Sequence, residues 1–311
     1  MTWWHQKRVL VTGAHGFLGG HVLDALRARG VPPAALVAPT SGEADLRDAH
    51  ACADVVRGVD VVIHLAARTG GIGLHAERPG EVLFDTALMG LLLMDAARRA
   101  GASKFVGVGT TCSYPREAPV PLREETLWDG ASDETTGGYG LAKKLLLVQG
   151  QAYRRQFGFC AVHLIPVNLY GPRDRFDEQH GHVVPALVRR FVEAAERGEP
   201  SVTVWGSGRA TREFLFVEDA AEAVLLACER YDGAEPVNLG SGRETSIAEL
   251  AATIASCAGF GGELRWDPSR PDGVPRRSVD VSRARERFGF AARTSLADGL
   301  QRTVHWYRAN R

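Results

Sequence analysis

The sequence carries no excess of charge of either sign. Its 37 lysines and arginines are matched by 37 aspartates and glutamates, so no global field draws the molecule to nucleic acid or to an anionic membrane. Any anion it binds must be held by a local site. Long apolar runs are missing too. Residues 88–94 form the longest, far short of the ~20 needed to span a bilayer. Met1-Thr-Trp-Trp-His5 runs directly into a strand pattern and leaves no room for a secretory leader, so a cytoplasmic protein is expected. Cysteine is sparse: Cys52, Cys112, Cys160, Cys228 and Cys257 are scattered, odd in number and never spaced as CxxC. This argues against a disulfide framework and a structural zinc centre, and no metal is expected. Most of them read as small core residues, and only Cys112 is set apart by its neighbours.

What is present is a globular composition. With 45% apolar and 24% charged residues in 311, the chain can bury a core, and its length fits one large or two smaller domains. Apolar β-branched runs alternate with helix-period stretches: 9–11 then 22–28, 59–65 then 86–100, 105–108 then 139–157, and finally 161–165. That rhythm predicts an α/β fold, a Rossmann-type doubly wound parallel sheet covered on both faces. After about Leu169, connectors rich in proline, glycine and arginine at 171–175, 205–212 and 268–277 separate shorter elements. They predict a smaller C-terminal α/β substrate-binding lobe, with helices over 183–196 and 247–258. The expected division is a dinucleotide-binding domain over 1–168, joined by 212–240, and a lobe built from 169–211 and 241–311.

Gly13-Ala-His-Gly16-Phe-Leu-Gly19 lies between the first strand and the amphipathic run 21–29. A tight turn, a close backbone approach and close helix packing each need a missing Cβ, and the helix N-terminus then offers N–H groups to a pyrophosphate. A glycine triplet alone is also an ordinary turn. In this strand-to-helix context it makes Gly13, His15, Gly16, Phe17, Leu18 and Gly19 the expected cofactor loop. Asp45-Leu46, past the second strand, and Leu65-Ala66-Ala67, closing a buried strand, suit the walls of an adenine and ribose pocket. A packed strand end is the other reading of the latter.

Tyr139-Gly-Leu-Ala-Lys143 opens a helix, and its first and last residues share one face. A phenol titrates near pH ~10, a poor base at neutrality, but an ammonium and an oxidised nicotinamide beside it stabilise the phenolate. Lowering that pKa by three units takes about 4 kcal/mol, within reach of a close cation in a dry site. Thr110 follows a predicted strand and can hydrogen-bond the same substrate oxygen.

Larger motifs join these: His64-Leu-Ala-Ala-Arg-Thr-Gly70-Gly71-Ile72, Gly109-Thr-Thr-Cys112-Ser-Tyr-Pro115, Pro166-Val-Asn168-Leu-Tyr-Gly-Pro172, a run from His182 to Phe191, Val204-Trp-Gly-Ser-Gly208, Arg212-Glu-Phe-Leu-Phe-Val-Glu-Asp219 and Pro271-Asp-Gly-Val-Pro-Arg-Arg277. Together the chain resembles the extended short-chain dehydrogenase/reductases of the NAD-dependent epimerase/dehydratase family, and within them the GDP-L-fucose synthase group. The resemblance covers nearly the whole chain. It implies a nucleotide-sugar epimerase working through a 4-keto sugar, with hydride transfer at C4. Thr110 (a serine in the group), Tyr139 and Lys143 would form the hydride-transfer site. Cys112 and His182 match the residues that move protons at C3 and C5, where a neighbouring ketone acidifies the hydrogens and inversion needs groups on opposite faces. Arg212 and Arg277 match contacts to the diphosphate of a nucleoside-diphosphate sugar, and Asn168, Val183 and Trp205 match neighbours of the nucleotide sugar. Arg190 is a weaker candidate, since a helical arginine is usually solvated. His180 and the remaining histidines read as structural. A homodimer is implied, with 86–100 and 139–157 as candidate interface helices, although apolar helix faces also serve as core.

The pattern is broken at three places. Basic residues that neutralise the 2′-phosphate of NADP are replaced by His15 and Pro39, with Ser41 beyond, so charge favours NAD over NADP. Thr110 keeps the hydroxyl of serine. Thr86 stands where the group has asparagine. Retained NAD would suit a redox-neutral C4 epimerase of a hexose or heptose, the alternative to net reduction. A 4,6-dehydratase is disfavoured because Cys112 occupies the place of its glutamate. A catalytically silent dinucleotide sensor is the reading from another class.

Overall fold

Four consecutive buried residues, Val9–Thr12, open the chain's first strand, and such a run is stable only in a sheet covered on both faces. The computed structural model describes residues 3–177, 182–269 and 273–311. In the first half it has β1 (Val9–Thr12), α1 (Phe17–Ala28), β2 (Leu36–Val37), α2 (Ala49–Val55), β3 (Val61–His64), α3 (Ile72–Glu77), α4 (Pro79–Arg99), β4 (Lys104–Val108), α5 (Gly137–Phe157) and β5 (Ala161–Pro166). Then come β6 (Asn168–Tyr170), α6 (Val183–Arg197), β7 (Ser201–Trp205), β8 (Thr211–Phe216), α7 (Val217–Arg230) and β9 (Val237–Leu239). The chain ends with β10 (Glu244–Ser246), α8 (Ile247–Cys257), β11 (Glu263–Asp267), β12 (Arg276–Arg277), α9 (Ser282–Phe288) and α10 (Leu296–Asn310).

The main sheet runs β2-β1-β3-β4-β5-β9 and every pairing in it is parallel. Helices α1 and α7 pack together on one face, and α2, α4 and α5 cover the other. This is the doubly wound Rossmann-type arrangement. The helix expected from residue 86 begins at Pro79, where a fixed φ and a missing N–H suit the first turn. Helix α5 stops at Gly158, whose φ of 67° is the left-handed conformation that closes a helix.

In the lobe β8 is the hub, with β10 antiparallel and with β12 and β6 parallel to it. Helices α6, α8 and α10 enclose a second core around Phe191, Ile254 and Val304. The expected grouping of 212–240 with the dinucleotide half meets a division at this strand. Phe214 and Phe216 enter the lobe core while Leu215 enters the main one, because successive strand residues face opposite ways. From Val217 onward the chain returns to the main sheet through α7 and β9. Among the described residues no helix is long and apolar enough to cross a membrane.

Candidate active site

The turn after β1 needs its glycines. Gly13 has φ +66°, and a Cβ there would meet the Ala66 backbone nitrogen at 2.8 Å. A Cβ on Gly19 would lie 2.1 Å from the Gly13 carbonyl oxygen, so the loop folds flat against α1. Gly16 caps α1 without a side-chain bond, leaving first-turn N–H groups for an anion. Phe17 and Leu18 begin that helix. The loop borders a cavity of about 700 Å³, with Gly13, His15 and Gly16 on one side, residues 39–42 and Asp45, Leu46 and Arg47 on another, and Ala66 and Ala67 on the β3 side. Leu65 lies half-buried beside them. His15 reaches the Ala38 carbonyl at 3.0 Å and ties the loop to the end of β2. This cradle fits a dinucleotide. The cations near it are already engaged: Arg47 holds the Asp45 carboxyl at a pKa of about 2 through side-chain and backbone bonds and also reaches Asp85.

The expected reactive residues are brought together by a weld between the turn after β4 and the start of α5. Gly140 packs directly on the backbone of Cys112, and the Ser113 hydroxyl donates to the Gly140 carbonyl at 3.0 Å. In the same turn the Thr110 hydroxyl accepts the Cys112 N–H at 3.2 Å. Behind it, Gly109 leaves room for the His163 ring, whose Nε2 would stand 2.5 Å from a Cβ at 109. Lys143 is buried with its Nζ 5.9 Å from the Tyr139 ring centre. Beneath it His64 and His163 sit in register on either side of Gly107. Burial first, and the Lys143 charge second, push both imidazoles down to about 3, so they stay neutral.

The acidity expected of the phenol drew on the lysine together with an oxidised nicotinamide, and burial acts against it. Burial, and then the neighbouring Cys112, push Tyr139 up to about 12, opposed by a hydrogen bond from Thr69. Burial also brings Lys143 down to about 8. Desolvation is the largest influence on both groups in this dry site.

Two residues of the site were missed by sequence reasoning. Thr69, inside a quoted motif, supplies the hydroxyl on the Tyr139 oxygen. His75, read as structural, is buried in α3 with its ring centre 5.3 Å from that of Tyr139. A histidine one turn into the helix after Gly70-Gly71 was the only signal. Thr86 also finds a purpose: its hydroxyl accepts the Arg68 N–H at 3.2 Å and donates to the Arg68 carbonyl at 3.4 Å, fixing the loop that leads to Thr69.

On the lobe side, His182 caps α6 and Val183 is its first residue, both exposed. Crowding around the His182 ring, and His75 after it, keep its pKa below the usual imidazole value. Trp205, 61% exposed, ends β7 next to α6. Arg190 is not merely solvated, since it donates to the Thr203 carbonyl at 2.7 Å. Arg212 and Arg277 are register partners on β8 and β12, so both side chains leave the same face. Asn168 opens β6 and donates to the Glu213 carbonyl at 3.2 Å. His180, Pro271 and Asp272 lie outside the described residues.

The family described as NAD dependent epimerase/dehydratase matches residues 9–240. A rice (Oryza sativa subsp. japonica) protein named probable GDP-L-fucose synthase 1 is 38% identical over 97% of this chain and 92% of its own length. GDP-L-fucose synthase 1 of Arabidopsis thaliana is 37% identical over 97% and 94%. The solved GDP-L-fucose synthetase of Naegleria fowleri bound to NADP superposes with a TM-score of 0.89 at 27% identity, covering 100% of this chain and 96% of that one.

Proposed function

The chain belongs to the NAD dependent epimerase/dehydratase family, and from that premise we propose a nucleotide-sugar epimerase and 4-ketoreductase of the GDP-L-fucose synthase kind. One observation carries the reading: Gly140 against Cys112 joins the turn bearing Thr110 and Cys112 to the helix bearing Tyr139 and Lys143. That turn leaves the carboxyl end of β4, and the glycine turn of the dinucleotide cradle leaves the same end of β1 in the parallel sheet.

When bound, the dinucleotide supplies the hydride for C4. The protein's residues do the rest. Arg212 and Arg277 hold the diphosphate through paired guanidinium donors, with Arg190 a weaker partner, and Asn168, Val183 and Trp205 border the nucleotide. Thr110 and Tyr139 hydrogen-bond the C4 oxygen, which draws electrons from C3 and C5. Cys112 and His182 then remove and return protons on opposite faces of the ring. After both inversions the Tyr139 phenol gives its proton to the C4 oxygen. A high phenol pKa keeps that proton in place until the oxygen becomes an alkoxide, and the Lys143 ammonium stabilises the phenolate that remains.

The cofactor is NAD or NADP, and the charge pattern favours NAD. His15 and Pro39 stand where a 2′-phosphate would want cations, and Arg47 is committed to Asp45 and Asp85. A homodimer is the expected assembly. Phe84 on α4 and Leu141, Leu145 and Val148 on α5 are exposed large apolar side chains, and the last three follow helical spacing along one stripe.

Purified protein given a GDP-linked 4-keto-6-deoxyhexose with NADH or NADPH tests the reading. Oxidation of one reduced dinucleotide per product is expected. Given instead a GDP-linked hexose that carries a C4 hydroxyl, turnover without added reductant would select the redox-neutral C4 epimerase. Cofactor binding without turnover of any 4-keto sugar nucleotide would select the silent sensor.

A further inference from the structure

His75 sits in a wall that the roles above leave unused. It is 6% exposed, and its ring centre lies 5.3 Å from that of Tyr139 with the planes inclined by 50°, inside the roughly 4.5–7 Å range of favourable ring pairs. A ring N–H donates to the Gly70 carbonyl. Gly70 follows Thr69, whose hydroxyl reaches the Tyr139 oxygen. One short loop therefore meets the phenol twice, by a hydroxyl at its oxygen and by an imidazole against its ring.

We propose that His75 is a positioning residue that clamps Tyr139, its ring against the phenol ring and its N–H tying down the loop that carries Thr69. The inference rests on the proposed function. Among the described residues, the titratable groups beside Tyr139 include Lys143 on α5 and Cys112 in the turn after β4. Arg68, in the same loop, is turned to Glu81 and Asp85 of α4.

A role in packing alone would be met by any flat ring, and His75→Phe separates the two cases. With the phenylalanine, kcat is expected to fall about tenfold, with the KM for the sugar nucleotide and the dinucleotide affinity within about twofold, the signature of an effect on the transition state. The alkaline limb set by Tyr139 is expected to move up, since the loosened loop no longer holds the Thr69 hydroxyl on the phenol. His75→Asn, which keeps a donor for Gly70, is expected to recover part of the loss. A His75→Phe enzyme with unchanged kcat and an unmoved limb would overturn the proposal.

An NMR spectrum of tyrosines labelled at Cζ, assigned with Tyr139→Phe, reads the clamp without any turnover. A Tyr139 resonance unchanged in His75→Phe overturns the clamp even if the substrate reading is wrong. Should His75→Phe not fold, Thr69→Val removes only the hydroxyl at the phenol. It is expected to lower kcat and to raise the alkaline limb set by Tyr139; wild-type kcat in that variant overturns the clamp.

Discussion

Gly140 and Cys112 touch backbone to backbone: a Cβ at position 140 would lie 2.2 Å from the Cys112 carbonyl oxygen. No rotamer change relieves such a contact, because neither side is a flexible side chain. Gly140→Ala must therefore push the Thr110–Cys112 turn away from Tyr139. Overpacking of this kind costs about 1–3 kcal/mol, and a displacement near 1 Å at a reacting centre costs about 10²-fold in rate. Denaturant unfolding and steady-state kinetics on Gly140→Ala check both. A stable, fully active variant would mean that the weld does not position the site.

Tyr139→Phe removes the proton donor and keeps the ring that His75 packs on. Turnover is expected to fall by about 10²–10⁴-fold, the usual contribution of a positioned acid or base, while dinucleotide affinity measured by calorimetry stays within about twofold of wild type. Retained turnover would transfer the role to another residue.

Lys143 makes the active site expensive for the fold. Its pKa falls from 10.5 to about 8 because burial penalises the ammonium. The unfolded chain thus binds more protons between those two values, and stability from this group rises with pH across about 8 to 10.5. Below about pH 8 the full penalty is present, on the order of 3 kcal/mol. Lys143→Met is expected to be inactive, more stable at pH 7, and flatter in stability across that window. Urea melts at pH 7, 9 and 10.5 check the sign, and lower stability of the variant at pH 7 would contradict it.

Arg212 and Arg277 leave one face of adjacent strands, which places two guanidinium groups where one diphosphate can meet both. Arg212→Gln and Arg277→Gln are each expected to raise the KM for the sugar nucleotide by about 10–100-fold, the equivalent of one charge-assisted hydrogen bond, with a smaller change in kcat. Effects confined to kcat would move the diphosphate elsewhere.

Much of this site is written in short-range spacing. The glycine turn and the Tyr139–Lys143 pair were legible because a strand-to-helix turn and a helical i, i+4 step bring their residues together locally. The β-branched runs gave the parallel sheet for the same reason. Thr69 and His75 were not legible, since what they face depends on how residues 68–79 turn back onto α5. The phenol's surroundings were legible only in part, because charge proximity can be read from a motif whereas desolvation cannot. Strand β8 was assigned to one half because its alternation, Phe214 and Phe216 one way and Leu215 the other, serves two cores that only tertiary structure distinguishes.

The central claim is that one site both inverts carbons beside a ketone and reduces that ketone, and isotope incorporation tests it most directly. The GDP-linked 4-keto-6-deoxyhexose is converted in D₂O with unlabelled reduced dinucleotide, and the product is read by NMR. Deuterium at C3 and C5 with protium at C4 is the expected result. A product that lacks solvent deuterium at both C3 and C5 would contradict the account.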